Sequence, residues 1–167
     1  MSEAKVAACQ ERCQAILASP LPGVPFIAIR TVQGELRSIE FLQQAIPVTQ
    51  PLELVTTQAV AHLNNYFSGH AQTLHYIRPA SGTPFQHRVW QLLQQIPAGK
   101  TRRYGEIADQ LGTSAQAVAG ACRANPLPIL IPCHRVVAVD GLGGYMGKTE
   151  GEAVEIKRWL LHHEAHV

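Results

Sequence analysis

The sequence predicts an α/β protein with two domains, a small α/β domain over residues 1–80 and a mainly helical domain over residues 81–167. Three observations predict this fold class. Strand-like runs lie in the first half, apolar residues at helical spacing dominate the second half, and a loop-like stretch at 70–82 separates the two. With 167 residues, of which 46% are hydrophobic, the chain can bury a substantial core.

The N-terminal domain is predicted to contain two helices and one strand hairpin. Apolar residues at helical spacing predict an amphipathic helix over residues 4–17. The runs 25–31 and 35–42 are typical of strands, and Val32-Gln33-Gly34 between them predicts a hairpin turn. After a proline-rich break, the periodicity of residues 52–67 predicts the second helix.

The C-terminal domain is predicted to consist of four helices. Thr83 suits the N-cap of the first helix, because proline follows at the first helical position. Three more helices are expected over residues 104–111, 115–124 and 152–163. Gly112-Thr113-Ser114 joins two of these helices, a pattern that is typical of a helix-turn-helix but also occurs in other helical domains.

Small side chains fill the predicted helix over residues 115–124, including Ala115, Ala117 and Ala119. They allow the helix backbone to approach another surface closely. Tight packing against a neighbouring helix and insertion into a narrow groove of nucleic acid both fit this pattern.

The positive charge of the chain is concentrated in one region. The formal net charge is only +2, and residues 1–80 carry five basic and five acidic side chains. Residues 86–135 carry six basic and two acidic side chains, a local charge of +4. This distribution is what a phosphate-binding face requires, although ordinary surface charge also explains it.

The four cysteines are too few and too unevenly spaced to predict a secreted disulfide framework. No signal-peptide pattern occurs near Met1, and no apolar run is long enough to predict a membrane span. We therefore expect a cytoplasmic protein, in a reducing compartment that suits a reactive thiol.

A cysteine and a histidine stand side by side at Cys133-His134, after an apolar run over residues 128–131. A thiol becomes a good nucleophile as the thiolate, which requires a base or a positive charge within reach. His134 and Arg135 offer both. Buried cysteines are usually inert, so the pair alone is weak evidence for chemistry.

Several separate motifs, in order, resemble the O6-alkylguanine-DNA alkyltransferase family. They are Pro132-Cys133-His134-Arg135-Val136, Asn125-Pro126 before it, the run over residues 103–108 and the closing segment over residues 159–164. The resemblance covers about residues 83–166, and the first 80 residues match only in outline. It implies a ribonuclease H-like N-terminal domain and a winged helix-turn-helix C-terminal domain.

The resemblance also implies DNA repair by direct reversal. Such a protein binds double-stranded DNA, flips out an alkylated guanine and transfers the alkyl group from O6 to its own Cys133. It acts once, as a monomer without cofactor or metal, and O4 of thymine is an expected second target. Cooperative binding along DNA is left open by the sequence.

Five residues carry the catalytic roles that the resemblance implies. Cys133 is the nucleophile, His134 accepts its proton through a water, and Glu164 orients the imidazole. Asn125 holds the turn before the cysteine. Tyr104 donates to guanine N3 and crowds a phosphate, which helps to rotate the nucleotide out of the stack.

Further residues are expected to bind the base and the DNA. The backbone carbonyls of Cys133 and Val136 read the exocyclic amine of guanine, and Tyr145 and Met146 line the pocket together with Tyr104. The residues expected to contact DNA are Ala115, Gln116, Ala117, Arg123 and Arg103.

Two positions depart from the family pattern. Gln116 stands where the family usually has an arginine that fills the space left by the flipped base, so we expect weaker or more salt-sensitive DNA binding. Arg123 lies seven residues further, on roughly the same helix face, and offers partial compensation. Met146 replaces a small hydroxyl residue, and its bulk is expected to disfavour large alkyl groups.

Other functions and sites fit the sequence less well. Cys9, Cys13 and His75 offer a thin case for a structural zinc site, and core cysteines explain them better. A non-catalytic damage sensor of the same fold is disfavoured by Cys133, and a winged-helix transcription regulator by the alanines of the recognition helix. A cysteine hydrolase would turn over repeatedly, unlike a suicide enzyme.

Overall fold

The computed structural model describes residues 12–48, 53–70 and 77–166. In the first half, strands β1 (Arg12–Ala18), β2 (Phe26–Val32) and β3 (Glu35–Leu42) precede helix α1 (Leu54–Phe67). The second half contains α2 (Pro84–Gln94), β4 (Arg102–Arg103), α3 (Tyr104–Leu111), α4 (Ala115–Arg123), a 3-10 turn (Cys133–Arg135), β5 (Val136–Val137) and α5 (Glu152–Ala165).

The three N-terminal strands form an antiparallel sheet in the order β1-β2-β3. Val32 pairs with Glu35, which leaves Gln33-Gly34 as a two-residue turn with φ angles of 52° and 80°. Positive φ at both positions is the geometry that matches the twist of a hairpin. The predicted strands and their turn are confirmed.

The predicted first helix is wrong over residues 12–17, which form strand β1, and residues 4–11 lie outside the described part of the chain. Cys13, Ala15 and Leu17 of β1 are buried, and so is Gln14, where the pairing with β2 shifts register. A short apolar run fits the period of a strand as well as that of a helix. Hydrogen bonding to β2 decides in favour of the strand.

Helix α1 confirms the second predicted helix, beginning at Leu54, and it covers the sheet with Ala59, Leu63 and Tyr66. The Thr56 hydroxyl lies 2.5 Å from the side-chain oxygen of Gln14 on β1, so the buried polar groups at this contact satisfy each other.

The four predicted C-terminal helices are confirmed. The Thr83 hydroxyl oxygen caps α2 by accepting a hydrogen bond from the Gln86 backbone, and the Gln86 side chain accepts one from the Thr83 backbone, which forms a capping box. The turn between α3 and α4 begins at Gly112, whose φ of 62° is left-handed. The indole of buried Trp90 donates to the carbonyl of Ala121 at 2.9 Å and fixes α2 against α4.

Buried side chains from both halves form one continuous apolar cluster, from Ile27 in the sheet through Trp90 to Leu160 in α5. A backbone hydrogen bond also joins the halves, from Ile39 to the carbonyl of Pro126. The sheet therefore supports the segment that leads to the cysteine. No helix in the described ranges is long and apolar enough to cross a membrane.

We expect Gly112→Ala and Gly120→Ala to change stability in opposite directions. An alanine at position 112 must adopt a left-handed conformation, which costs about 1 kcal/mol. Gly120 lies inside α4, where no other described segment comes within 4 Å of an added methyl group, so alanine should stabilise the helix by about 0.5–1 kcal/mol. Urea denaturation measures both changes, and shifts of the same sign would show that backbone conformation does not decide the effect at these positions.

Candidate active site

Asn125 organises the segment that carries the cysteine. Its side-chain oxygen accepts from the backbone of Leu127 at 3.0 Å, and its amide nitrogen donates to the carbonyl of Ile131 at 2.8 Å. The same nitrogen lies 3.2 Å from Sγ of Cys133. One side chain therefore closes the loop after α4 and provides a hydrogen-bond donor for the sulfur.

Cys133 is buried at the start of the 3-10 turn. Burial raises the pKa of this thiol, and the hydrogen bond from Asn125 and the charge of Lys157 oppose that effect. The raised pKa means that the resting sulfur holds its proton at neutral pH. A base is required to make it a nucleophile.

A buried carboxylate fixes His134, the next residue. Nε2 of His134 lies 2.6 Å from Oε1 of Glu164, and Arg135 pairs with the same carboxylate at 2.9 Å. Burial alone would raise the pKa of Glu164, but the hydrogen bonds and charges of His134 and Arg135 outweigh it and hold this pKa far below its ordinary value. Glu164 is therefore ionised and can only accept, so Nε2 carries the proton.

The imidazole of His134 is neutral and has one free nitrogen. Burial lowers its pKa, and this effect exceeds the opposing effects of the hydrogen bond that Nε2 donates to Glu164 and of the charge of that carboxylate. Nδ1 is buried and has no hydrogen-bond partner in the described structure. With its proton on Nε2, this nitrogen offers a lone pair for a proton from a neighbouring thiol.

A cavity of about 360 Å³ opens at Cys133. Helix α4 forms one side, and the glycine-rich loop over residues 143–149 forms the other. The predicted site residues that line it are Tyr104, Gln116, Arg123, Cys133, Tyr145 and Met146. Gly147 packs so closely on Arg123 that an added methyl group would lie 2.9 Å from its side chain.

Other predicted site residues lie around this cavity rather than in its lining. His134, Glu164 and Asn125 lie behind the cysteine, and Val136 is buried directly after the turn. Three residues expected to contact DNA lie outside the lining, at or near the starts of α3 and α4: Arg103, Ala115 and Ala117.

Lys157 is a site residue that the sequence interpretation missed. Its side chain is 0% exposed, and Nζ donates to the carbonyls of Val136 at 2.6 Å and Gly144 at 3.0 Å. None of the described carboxylates pairs with it. Burial lowers its pKa to about 8, so it remains charged at neutral pH beside Cys133. The sequence did contain a signal for this position, because Lys157 lies on the same helix face as Leu160 and Glu164 and is therefore expected to point inward.

Comparisons with known proteins identify relatives of this chain. A family model described as the DNA binding domain of 6-O-methylguanine DNA methyltransferase matches residues 84–166. The methylated-DNA–protein-cysteine methyltransferase of Salmonella typhimurium is 44% identical over 109 residues, which are 63% of this chain and 61% of that protein. The protein of the same name from Mycobacterium tuberculosis is 46% identical over 109 residues, 64% of this chain and 63% of that one.

Solved structures match over a larger share of the chain. The crystal structure of Mycobacterium tuberculosis O6-methylguanine methyltransferase has a TM-score of 0.72 at 34% identity, and the match covers 93% of both chains. The crystal structure of Mycobacterium tuberculosis OGT in complex with DNA has the same TM-score at 36% identity, covering 90% of this chain and 91% of that one.

The fold and the site define a small mixed α/β protein built around one buried cysteine. The chain belongs to the O6-methylguanine-DNA methyltransferase family, whose members include the methylated-DNA–protein-cysteine methyltransferases.

We expect Lys157→Met to make the Cys133 thiol harder to ionise. Removing a nearby positive charge should raise its pKa by about one unit and slow alkylation by iodoacetamide at pH 7 by about three- to tenfold. Because the pKa of Lys157 is about 8, the difference from the native protein should shrink above that pH.

Lys148→Met is the matched control, because Lys148 lines the same cavity but is exposed and screened by solvent. Mass spectrometry of the cysteine-containing peptide isolates the reaction at Cys133. Equal rates for the two variants would show that the buried ammonium does not act on the sulfur.

Proposed function

We propose that this protein repairs alkylated DNA by moving an alkyl group from O6 of guanine to Sγ of Cys133 in one irreversible reaction. The observation that carries the proposal is the position of Cys133. It lies in the cavity beside α4, next to a histidine whose Nε2 is held by an ionised glutamate. Membership of the family, and the DNA bound to a relative of the same fold, support DNA as the partner.

The transfer requires two proton movements. Nδ1 of His134 accepts the thiol proton, directly or through a water, and the thiolate attacks the alkyl carbon. The new S–C bond forms as the C–O6 bond breaks, and the electron pair of that bond remains on the guanine. The hydroxyl of Tyr104 donates to N3 of this leaving base. The thioether has no route back to the thiol, so each molecule acts once.

The walls of the cavity suit a flipped guanine. Carbonyls have two lone pairs, so Val136 can bind Lys157 and still accept from the exocyclic amine of the base. Tyr145 is buried against the cavity, whereas Met146 is 45% exposed at its edge. In this arrangement the methionine narrows the opening, which disfavours large alkyl groups.

The helix pair α3–α4 is proposed to act as a winged helix-turn-helix in the minor groove of double-stranded DNA. The small residues Ala115 and Ala117 allow close approach, and Gln116, exposed beside the cavity, fills the space left by the flipped base. Arg123 and Arg103, both exposed, provide positive charge for phosphates.

The remaining parts of the proposal concern the whole protein. Residues 1–80 form a ribonuclease H-like domain, and residues 81–167 form the DNA-binding and alkyl-transfer domain. The protein acts as a cytoplasmic monomer without cofactor or metal, and O4-alkylthymine is a second substrate.

Methyl transfer from a duplex with one O6-methylguanine tests this function. We expect mass spectrometry to find at most one methyl group per protein, on Cys133, because the thioether ends the reaction. Cys122→Ala, which removes the other thiol of the same cavity, should keep the full yield, and Cys133→Ala should abolish it.

Other outcomes would contradict the proposal in distinct ways. Binding to the damaged duplex without transfer would indicate a damage sensor. More than one product per protein molecule would indicate a hydrolase.

We expect Gln116→Arg to tighten DNA binding by about three- to tenfold at low salt and to steepen its salt dependence, because it adds a cation at the DNA-facing helix. Fluorescence anisotropy over a range of salt concentrations measures both effects. Gln91→Arg on α2 is the control for added charge away from α4. If Gln116→Arg changes neither affinity nor repair rate, the assignment of this position is wrong.

A further inference from the structure

A tyrosine from the N-terminal half reaches the carboxylate behind the cysteine. The hydroxyl of Tyr66, in α1, lies 2.9 Å from Oε1 of Glu164. This is the same oxygen that Nε2 of His134 approaches at 2.6 Å. A residue 98 positions away in sequence therefore shares the atom that orients the imidazole.

Contacts on the ring and the backbone of Tyr66 direct its hydroxyl at Glu164. The side chain is buried, and its ring lies 5.3 Å from that of His163 and 6.4 Å, edge-on, from that of His134. The imidazole of His163 also donates to the backbone carbonyl of Tyr66 at 2.8 Å. These contacts anchor the main chain and the ring and direct the hydroxyl at Glu164.

The direction of this hydrogen bond is fixed. Burial and the charge of Glu164 raise the pKa of Tyr66 far above its ordinary value, so the phenol keeps its proton at neutral pH. Glu164 stays ionised and accepts. Tyr66 is therefore a permanent donor that withdraws negative charge from the oxygen shared with His134.

We propose that Tyr66 is a positioning residue for the alkyl transfer, because its hydrogen bond to Glu164 sets both the orientation of His134 and how readily that imidazole holds a proton. This inference rests on the proposed function. With the tyrosine in place, the carboxylate stabilises the positive charge of a doubly protonated imidazole less strongly. His134 then stays neutral at lower pH, ready to accept the proton of Cys133.

Other charged groups act on the same imidazole. Helix α5 contributes Glu164 and Lys157, the turn of His134 itself contributes Arg135 and the Cys133 thiol, and α1 contributes Tyr66. His62, also in α1, faces Arg135. Arg135 and Lys157 both disfavour a proton on His134, and Glu164 alone favours it. Tyr66 contacts Glu164, the one group that favours the protonated imidazole. Its hydrogen bond therefore acts on His134 by weakening the effect of that carboxylate.

The variant Tyr66→Phe tests the inference, since it removes one oxygen and keeps the ring. Without this donor, Glu164 attracts a proton to His134 more strongly, so the imidazole is protonated at higher pH. We expect the acid limb of the pH–rate profile for methyl transfer to move to higher pH by about half a unit to one unit. Single-turnover rates between pH 5 and 9 measure the shift.

Phe67→Leu separates a packing effect from a positioning effect. Phe67 follows Tyr66 on α1 and contacts the rings of Tyr66 and Trp159, at 5.5 Å and 6.2 Å, but its ring cannot donate to Glu164. We expect it to lower the urea midpoint and leave the acid limb unchanged. A Tyr66→Phe profile that superimposes on the native one, with only a lower urea midpoint, would overturn the inference.

Alkylation of Cys133 by iodoacetamide provides a readout that does not depend on DNA repair. The same upward shift of the acid limb is expected, because His134 also receives the thiol proton in this reaction. If the native protein transfers no methyl group from DNA but Tyr66→Phe shifts the iodoacetamide profile, the proposed function fails and the role of Tyr66 stands. An unchanged iodoacetamide profile would refute that role.

Discussion

The buried carboxylate of Glu164 is the constraint on which the site depends. It accepts hydrogen bonds from His134, Arg135, Tyr66 and the backbone of Gly99. A buried ion with one partner removed typically destabilises a protein by about 3–5 kcal/mol, so these donors must assemble together. Helix α5, the cysteine turn, helix α1 and the loop after α2 are thereby fixed to one point. That loop comes close enough because position 99 is glycine, with φ at 73° and the Glu164 backbone 3.1 Å from an added methyl group.

The charges around Glu164 act differently on His134 and on Cys133. Burial lowers the pKa of His134 and keeps its imidazole neutral in spite of the contact with a carboxylate, and the charge of Arg135, which pairs with that carboxylate, acts in the same direction. Lys157 has no carboxylate partner in the described structure, and its charge is favoured by Cys133 and Cys122 in their thiolate forms. Formation of the thiolate at Cys133 therefore gives the ammonium its counter-ion. The unbalanced charge of the resting protein favours the state that reacts, which explains why a buried lysine is tolerated here.

Local signals in the sequence predicted the local parts of this structure. Gln33-Gly34 forms the two-residue turn of the hairpin, and the turn before Cys133 is closed by a hydrogen bond of Asn125 to a residue six positions further along the chain. The helix predicted over the first strand is wrong, because pairing with β2 decides the conformation of this segment and the spacing of its apolar residues does not. Tyr66 and Lys157 were missed for a related reason. Each is an ordinary residue on a predicted helix, and its role arises only from contacts with Glu164 and with the turn at Val136, which chain topology brings together.

These long-range contacts make the surroundings of Glu164 depend on both halves of the chain. The family match spans residues 84–166, which contain Cys133, His134 and Glu164. The hydrogen bonds of that carboxylate are nevertheless completed by α1, which lies outside this span and is held there by a core shared between the halves. Because an unsatisfied buried oxygen is costly, the second half alone would have to find another donor for Glu164 or admit water beside His134. Either change would alter the proton affinity of His134, so the N-terminal half contributes directly to the surroundings of this imidazole as well as supporting them.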